Sequence, residues 1–576
     1  VPASIDIVLD HHSGTLRGRG AGGSTVDLAP ATEALLREAS QLHVPVRLVV
    51  PERLDDAAIA ALEALLALAE AVEMLDTLVL PDGPEPHILV AADRVVRQQA
   101  ADDGWLAVAH PMLALPAVLG GGFVFARVSC ERGSLRRPGL VTYWTENDWA
   151  FAVLSRKALA SALDDGIAIE RLALDAGVQD PLLVQLDRGT RLGEVLADHE
   201  VLWSDGSRVL LALDAATTND AIPVHGSHGH FVFLAPDPGL LAPARIAAPA
   251  AVPVGANPRA LAPPAPVTAT SFAEDVARYA GLAPLDADGP LRSRHSSHPD
   301  NARVVNALLA ELTQIGYAPF THELAFSGQI LRNVIADHPG SSGMNASGSG
   351  VVLLGCHLDS TAARDPGYES ASAPARGADD DASGIAALLA IARHLRVLPE
   401  PLLHTVRLCF FNAAEAGFVG SRAYAASLKR AGTAVAAVVC CDTIAFNSDG
   451  LRTFELHAGF TDPAVRDLSI PLAAVVARAA AGLTVLAPAQ VYTGTGTTPV
   501  GGSDPGRFDR AINRSDHASF HAQGYPAVLV SEDAFATPPD NPNPNEHRSA
   551  DAVIDADYAA DITRAVSVAV IELSRG

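Results

Sequence analysis

Apolar residues in the second half of the chain fall into two alternating patterns. Short, nearly continuous runs read as strands buried on both faces: NVIADHPG (333–340), VVLLGC (351–356), HTVRLCFFNA (404–413), AVAAVVCC (434–441) and YPAVLVSED (525–533). Between and after them, apolar positions recur at helical spacing over 301–317, ending at Gly316, and over 383–395, with Ser383 near its start. The same spacing marks 421–432, closed by Gly432, and a final helix over 555–574. Strands of this kind alternating with helices predict an α/β fold whose sheet is mostly parallel and covered on both sides.

The first half is patterned less regularly. IDIVLD, VPVRLVV, HILVAAD and WLAVAH read as strands, TEALLREASQL and DDAAIAALEALLALAEAVEML as helices, and 182–234 is richer in strands. A separate α/β region over 1–234 is expected. Prolines recur through 235–268, and each removes an amide donor, so this stretch reads as a semi-extended linker ahead of a second domain over 269–576.

Composition narrows the function classes. Hydrophobic residues make up 49% and charged residues 19% of the 576, which suits packed globular cores. The net charge of −25 repels nucleic acid and anionic lipid, so neither is expected as a partner. No run of roughly 18 apolar residues predicts a transmembrane helix. The five cysteines (Cys130, Cys356, Cys409, Cys440, Cys441) match neither a zinc knuckle nor a disulfide framework, and four sit in apolar runs as buried thiols. Their odd number favours a reducing, cytoplasmic setting. Because the chain starts at Val1, secretion after removal of a signal peptide is the alternative. The sequence does not indicate an oligomeric state.

Candidate chemistry gathers at strand ends, where open parallel sheets bind ligands. His357 and Asp359 follow VVLLGC, Glu415 follows the strand at 404–413, and Asp442 follows AVAAVVCC. Two acidic segments, GADDDASG (377–384) and NEHRSAD (545–551), add carboxylates and an imidazole. Aspartates ahead of a helix can complement its dipole, or one of them can bridge two cations, and spacing leaves both readings open. HGSHGH, with His225, His228 and His230, reads as a polar turn entering a strand, because no acidic or cysteine partner stands at ligand spacing. VLDHHSGTL faintly resembles the aspartate loop of haloacid-dehalogenase-like hydrolases, but it lacks the second aspartate and carries an insertion.

Six motifs in order carry a stronger resemblance: GCHLDS (355–360), GADDDASGIAA (377–387), FNAAEAGFVGS (411–421), CDTIAFN (441–447), SDHASFHAQGYPAVL (515–529) and EHRSAD (546–551). Over essentially the whole C-terminal domain the chain resembles the co-catalytic two-zinc aminopeptidases typified by bacterial leucyl aminopeptidase. The resemblance implies a phosphorylase/hydrolase-like mixed sheet flanked by helices, two zinc ions per chain, and removal of N-terminal residues from a peptide or small amide substrate. By motif, His357 and Asp442 should serve the first zinc, Glu415 and His547 the second, and Asp380 should bridge them. Asp359 should orient His357. The ions would activate a water and polarise the scissile carbonyl.

The chain departs from the family in places. Where the family has the glutamate that serves as general base, Ala414 stands, next to the retained ligand Glu415. A methyl group takes no proton, so catalytic impairment is expected. Retention of every ligand favours a change confined to this position, made to inactivate the enzyme, over the wider drift of a natural pseudoenzyme. Ile512 falls where a tyrosine is usual, Arg514 takes a cysteine position near the side-chain pocket, and Thr443 stands where methionine is common. These three are the candidate substrate-binding residues, and they imply a pocket more polar than one built for leucine, unless Arg514 points to solvent. Two other functions remain in view: a glutaminyl-cyclase-like transferase on the same fold, which usually uses one zinc, and a non-catalytic peptide-binding pseudoenzyme.

Overall fold

A computed structural model of the chain describes short strands between residues 5 and 109, then 123–129, 140–146, 149–174, 179–186, 200–205, 208–214, 229–234 and 244–247. It describes 267–575 apart from 327–328, 342–349, 400, 483–484, 497–505, 507 and 534–542. The C-terminal domain is built on an eight-stranded sheet. Its strands lie in the order Phe320–Phe326, Gln329–His338, Thr405–Phe411, Val351–His357, Val435–Cys441, Ala527–Ser531, Glu455–His457 and Gln490–Tyr492.

The four central strands are mutually parallel. The sheet as a whole is mixed, as the family resemblance implies, with parallel pairs through the centre that the apolar runs predict and antiparallel pairs beyond it. Phe320–Phe326 and Gln329–His338 are separated by two residues, a connection that can return the chain only antiparallel. Gln329–His338 then pairs antiparallel with Thr405–Phe411, and Glu455–His457 with Ala527–Ser531.

Both faces of the central strands are buried, and side chains alternate between them. Val352, Leu354, Cys356, Leu408, Phe410, Val439 and Val530 pack with the helices Ala269–Tyr279, Asp300–Ile315, Ala382–Arg396, Pro463–Ala481 and Ala556–Arg575. Val351, Leu353, Cys409, Phe411, Val438, Cys440 and Leu529 meet Tyr424 and Leu428 of helix Val419–Arg430 and Phe520 of helix His517–Ala522. This arrangement explains the uninterrupted apolar runs. Cys356, Cys409, Cys440 and Cys441 are free and buried, as their apolar context predicts. Cys130 lies outside the described residues.

Helix ends follow the expected residues with one difference. Gly316 caps Asp300–Ile315 in the left-handed region, and Gly432 takes a positive φ just beyond Val419–Arg430. At Ala382–Arg396 the cap is Asp381, whose carboxylate accepts the Gly384 N–H at 2.8 Å. Ser383 instead donates to the Asp379 carbonyl at 2.6 Å.

Among the described residues, the first part of the chain holds three sheets. One has seven strands, with both parallel and antiparallel pairs. The other two have four strands each, antiparallel throughout. The two helices expected before residue 75 lie outside the described residues, as do His225 and His228. Part of the proline-rich stretch is docked: Ala247 donates to the Val435 carbonyl, and Val435 donates to the Arg245 carbonyl, both at 3.2 Å. Among the described residues no helix is long and apolar enough to cross a membrane.

Candidate metal centre

The sheet has a topological switch point. From Val351–His357 the chain moves to the neighbouring strand on one side, Thr405–Phe411, and then across to the other side, Val435–Cys441. The loops leaving these three strands therefore diverge around a crevice at their carboxyl ends. His357, Glu415 and Asp442 stand on those loops or at their start. Asp380 comes from the turn before helix Ala382–Arg396, and His547 from the turn before the last helix.

The five residues converge around one carboxylate. Asp380 Oδ1 lies 3.1 Å from His357 Nε2, and Asp380 Oδ2 lies 3.0 Å from His547 Nε2. Asp442 Oδ1 is 3.4 Å from His357 Nε2, and Glu415 Oε2 is 3.2 Å from His547 Nε2. Each half thus presents one imidazole nitrogen, one private carboxylate oxygen and one oxygen of the shared aspartate. Glu546 also approaches Asp380 and His547. Its carboxylate is held by Arg364 at 2.9 Å, whereas Glu415 approaches His547 with no guanidinium partner among the described residues.

The donor set suits divalent cations. Glu415 Oε1 is buried without a hydrogen-bond partner. Burial, reinforced by the Asp380 charge, pushes the Glu415 carboxyl up to about 8. Burial also works against the charge on Asp380, yet hydrogen bonds from His357 and His547 hold its carboxyl below the usual carboxylate range. For His547, burial opposes protonation, but Glu415 and Asp380 outweigh it and lift the imidazole to about 10. The imidazoles and carboxylates compete for protons in a space that a bound cation would neutralise. Imidazole and carboxylate are ordinary zinc ligands.

Buried carboxylates brace the segments that carry His357, Asp380 and Glu415. Asp359 is fully buried; its Oδ1 accepts the Ala414 N–H at 3.0 Å and its Oδ2 the Glu415 N–H at 3.1 Å. The same Oδ1 lies 3.5 Å from His357 Nδ1. The carboxylate that holds the loop of Glu415 therefore also lies beside the imidazole of His357.

The three consecutive aspartates divide their work. Asp380 faces the centre. Asp381 caps the helix and accepts the His357 N–H at 3.0 Å. Asp379 turns the other way, accepting from Ala445 N and Asn543 Nδ2, both at 2.9 Å. Burial pushes the Asp379 carboxyl up to about 7 against these bonds. Asp551 accepts the N–H groups of Asp379 and Asp380 and fixes the turn from below. Asp551 and Asn543 escaped sequence reasoning, although Asp551 stands four residues after His547 inside EHRSAD.

Backbone strain collects here. Ala413, Thr443 and His547 all have positive φ without being glycine, a region L-residues rarely adopt. Of the substrate-binding candidates, Thr443 is mostly buried; its Oγ1 donates to the Asp442 carbonyl at 2.8 Å and lies 3.1 Å from Ser531 Oγ. Ile512 has no exposed surface and packs with Phe460 and Val465. Arg514 is partly exposed, and its N–H donates to the Ala511 carbonyl at 3.0 Å.

Position 414 faces the first part of the chain. Ala414 is 5% exposed and shares an apolar cluster with Phe418 and with Phe125, Tyr143, Trp144, Trp149 and Phe151. Arg422 lies over the Trp144 ring at 5.7 Å. The antiparallel sheet of strands 123–129, 140–146 and 149–155 thus contributes aromatic side chains beside the loop of Glu415.

Comparison with known proteins points the same way. A probable leucine aminopeptidase of Trichophyton verrucosum is 28% identical over 232 residues, 39% of this chain and 52% of that protein. A probable zinc metalloprotease of Pyrenophora teres f. teres is 29% identical over 230 residues, 35% of this chain and 42% of that protein. The chain spans about half the length of the curated relatives it matches. The crystal structure of the Legionella pneumophila LapA aminopeptidase shares the fold, with a TM-score of 0.51 at 16% identity over 69% of this chain and 99% of that one. Residues 333–570, which hold all five converging side chains, match Peptidase family M28.

Proposed function

We propose that this domain is a two-zinc hydrolase that removes N-terminal residues from peptides, or cleaves a related small amide, and that Ala414 leaves this chain catalytically impaired. The observation that carries the reading is the position of Asp380, with one carboxylate oxygen at each of two imidazoles. His357, Asp442 and Asp380 Oδ1 would hold one zinc; His547, Glu415 and Asp380 Oδ2 would hold the other. When bound, zinc supplies a Lewis acid for the scissile carbonyl and lowers the pKa of a water.

The chain's own residues do the rest. Asp359 holds His357 so that Nε2 faces the centre and fixes the peptide groups of 414 and 415. At 414 the side chain can neither accept a proton nor hand one to a leaving amine, a loss worth about 10²–10⁴ in rate. Two private carboxylates and a shared one favour hydrolysis with two metals over a one-zinc cyclase reading.

The test is zinc stoichiometry together with Ala414→Glu. Zinc-replete protein should carry about two ions per chain. The glutamate variant should cleave short peptides that have a free N-terminal amine, spare acetylated ones, and gain mainly in kcat. A single tightly held ion would support the cyclase reading. A variant with two zincs and no cleavage across varied N-terminal residues would overturn the aminopeptidase reading.

A further inference from the structure

Among the described residues, Arg294 is the largest side chain with essentially no exposed surface. A buried guanidinium normally sits against a carboxylate, yet Arg294 bonds only to backbone carbonyls. Nε donates to Leu358 O at 3.0 Å; Nη1 donates to Tyr279 O at 2.9 Å and to Arg376 O at 2.6 Å. Nη2 donates to Gly377 O at 2.9 Å and, at 3.4 Å each, to Asp359 O and Asp380 O. Every N–H of the fork is used, and four of the six acceptors belong to the turns that carry His357, Asp359 and Asp380.

The main chain of Arg294 reaches the third ligand loop. Its carbonyl accepts from Asn301 Nδ2 at 2.7 Å, and Asn301 exchanges amide hydrogen bonds with Asn412 at 2.8 and 3.1 Å. Asn412 Oδ1 in turn accepts the Ala413 N–H at 2.9 Å, two residues before Glu415. The packing is tight on the metal side: a Cβ on Gly377 would stand 2.9 Å from Arg294 Nη2 and 2.0 Å from the Asp380 carbonyl.

Resting on the two-zinc reading, we propose that Arg294 is a positioning residue of the metal centre. Its fork sets the spacing between the His357 turn and the Asp380 turn, and its unpaired charge offsets the carboxylates Asp359, Asp380 and Asp381 massed in front of it. No other common side chain meets both demands. Lysine keeps the charge but offers three donors from a single point, and neutral residues lose the charge.

The experiment uses full-length protein stripped of metal and compares it with Arg294→Lys, Arg294→Met and Asn301→Ala. Zinc affinity is read by competition with a chromophoric chelator, and ligand geometry by the visible spectrum of the cobalt-loaded protein. Supporting residues around metal sites commonly contribute about 10–100-fold in affinity. Arg294→Lys should lose an amount in that range and shift the cobalt bands, with Arg294→Met losing more. Asn301→Ala should weaken mainly one of the two ions. If Arg294→Met does not fold, the other two variants decide. Unchanged zinc affinity and cobalt spectrum in Arg294→Lys and Asn301→Ala, with only the melting temperature lowered, would reduce Arg294 to a structural residue and overturn the proposal. Unsubstituted protein that binds fewer than two zincs would instead overturn the two-zinc reading itself, so the two failures are distinguishable.

Discussion

Removing the Asp359 carboxylate should cost the domain both stability and metal affinity. In Asp359→Ala the N–H groups of Ala414 and Glu415 lose their acceptor, and both bonds are buried or nearly so. Each orphaned donor costs about 1–3 kcal/mol, so the pair amounts to roughly 2–6 kcal/mol. That is a large fraction of the ~5–15 kcal/mol that holds an ordinary domain together. The same change frees the ring of His357 and lets the Glu415 loop drift, which should lower zinc affinity by about 10–100-fold. Asp359→Asn separates the two effects: its carbonyl still accepts one N–H while its amide group opposes the other, so about half the stability should be lost. All four tryptophans lie in the first part of the chain, so denaturation of metal-free protein should be followed by far-ultraviolet circular dichroism rather than fluorescence. Zinc competition supplies the second readout. An Asp359→Ala protein within about 0.5 kcal/mol of the parent, with zinc affinity unchanged, would refute the role given to this carboxylate.

Other perturbations probe the scaffold. Gly377 has a positive φ of 51°, and an added Cβ would strike the Asp380 carbonyl, so Gly377→Ala should cost about 2–5 kcal/mol and impair metal loading. Calorimetry with elemental analysis checks it, and wild-type behaviour would mean the turn relaxes freely. His457 is fully buried between Asp509 at 2.8 Å and Glu455 at 3.1 Å. Burial pulls its pKa down, but the two carboxylates outweigh that and raise it to about 9. An unfolded imidazole titrates near ~6.5, so this stabilisation is complete below about that pH and is lost as pH rises through about 9, by up to about 3 kcal/mol. His457→Gln should flatten the fall in stability between those values; an unaltered slope would assign it to other groups.

Much of the domain is legible along the chain because the signals are local. An uninterrupted apolar run such as VVLLGC can sit only in a strand covered on both sides, and the residue that follows it is placed at the sheet's carboxyl edge wherever the strand lies. For that reason His357, Glu415 and Asp442 stand out by their position in the sequence, and motif resemblance adds Asp380 and His547. What the sequence leaves undecided depends on partners distant in the chain. Apart from the resemblance, nothing in GADDDASG distinguishes its aspartates. Asp379 becomes an anchor because Asn543 and Ala445 come round to it, Asp381 a cap because the helix starts there, and Asp380 a shared carboxylate because two imidazoles converge on it. Arg294 carries no motif at all. Only burial behind two loops brought together by folding turns an ordinary arginine into the hub of the site. The antiparallel edge at Phe320–His338 and the aromatic cluster against Ala414 belong to the same class. Periodicity reports which face of an element is buried, whereas pairing direction, charge balance and domain contact are set by what that face meets.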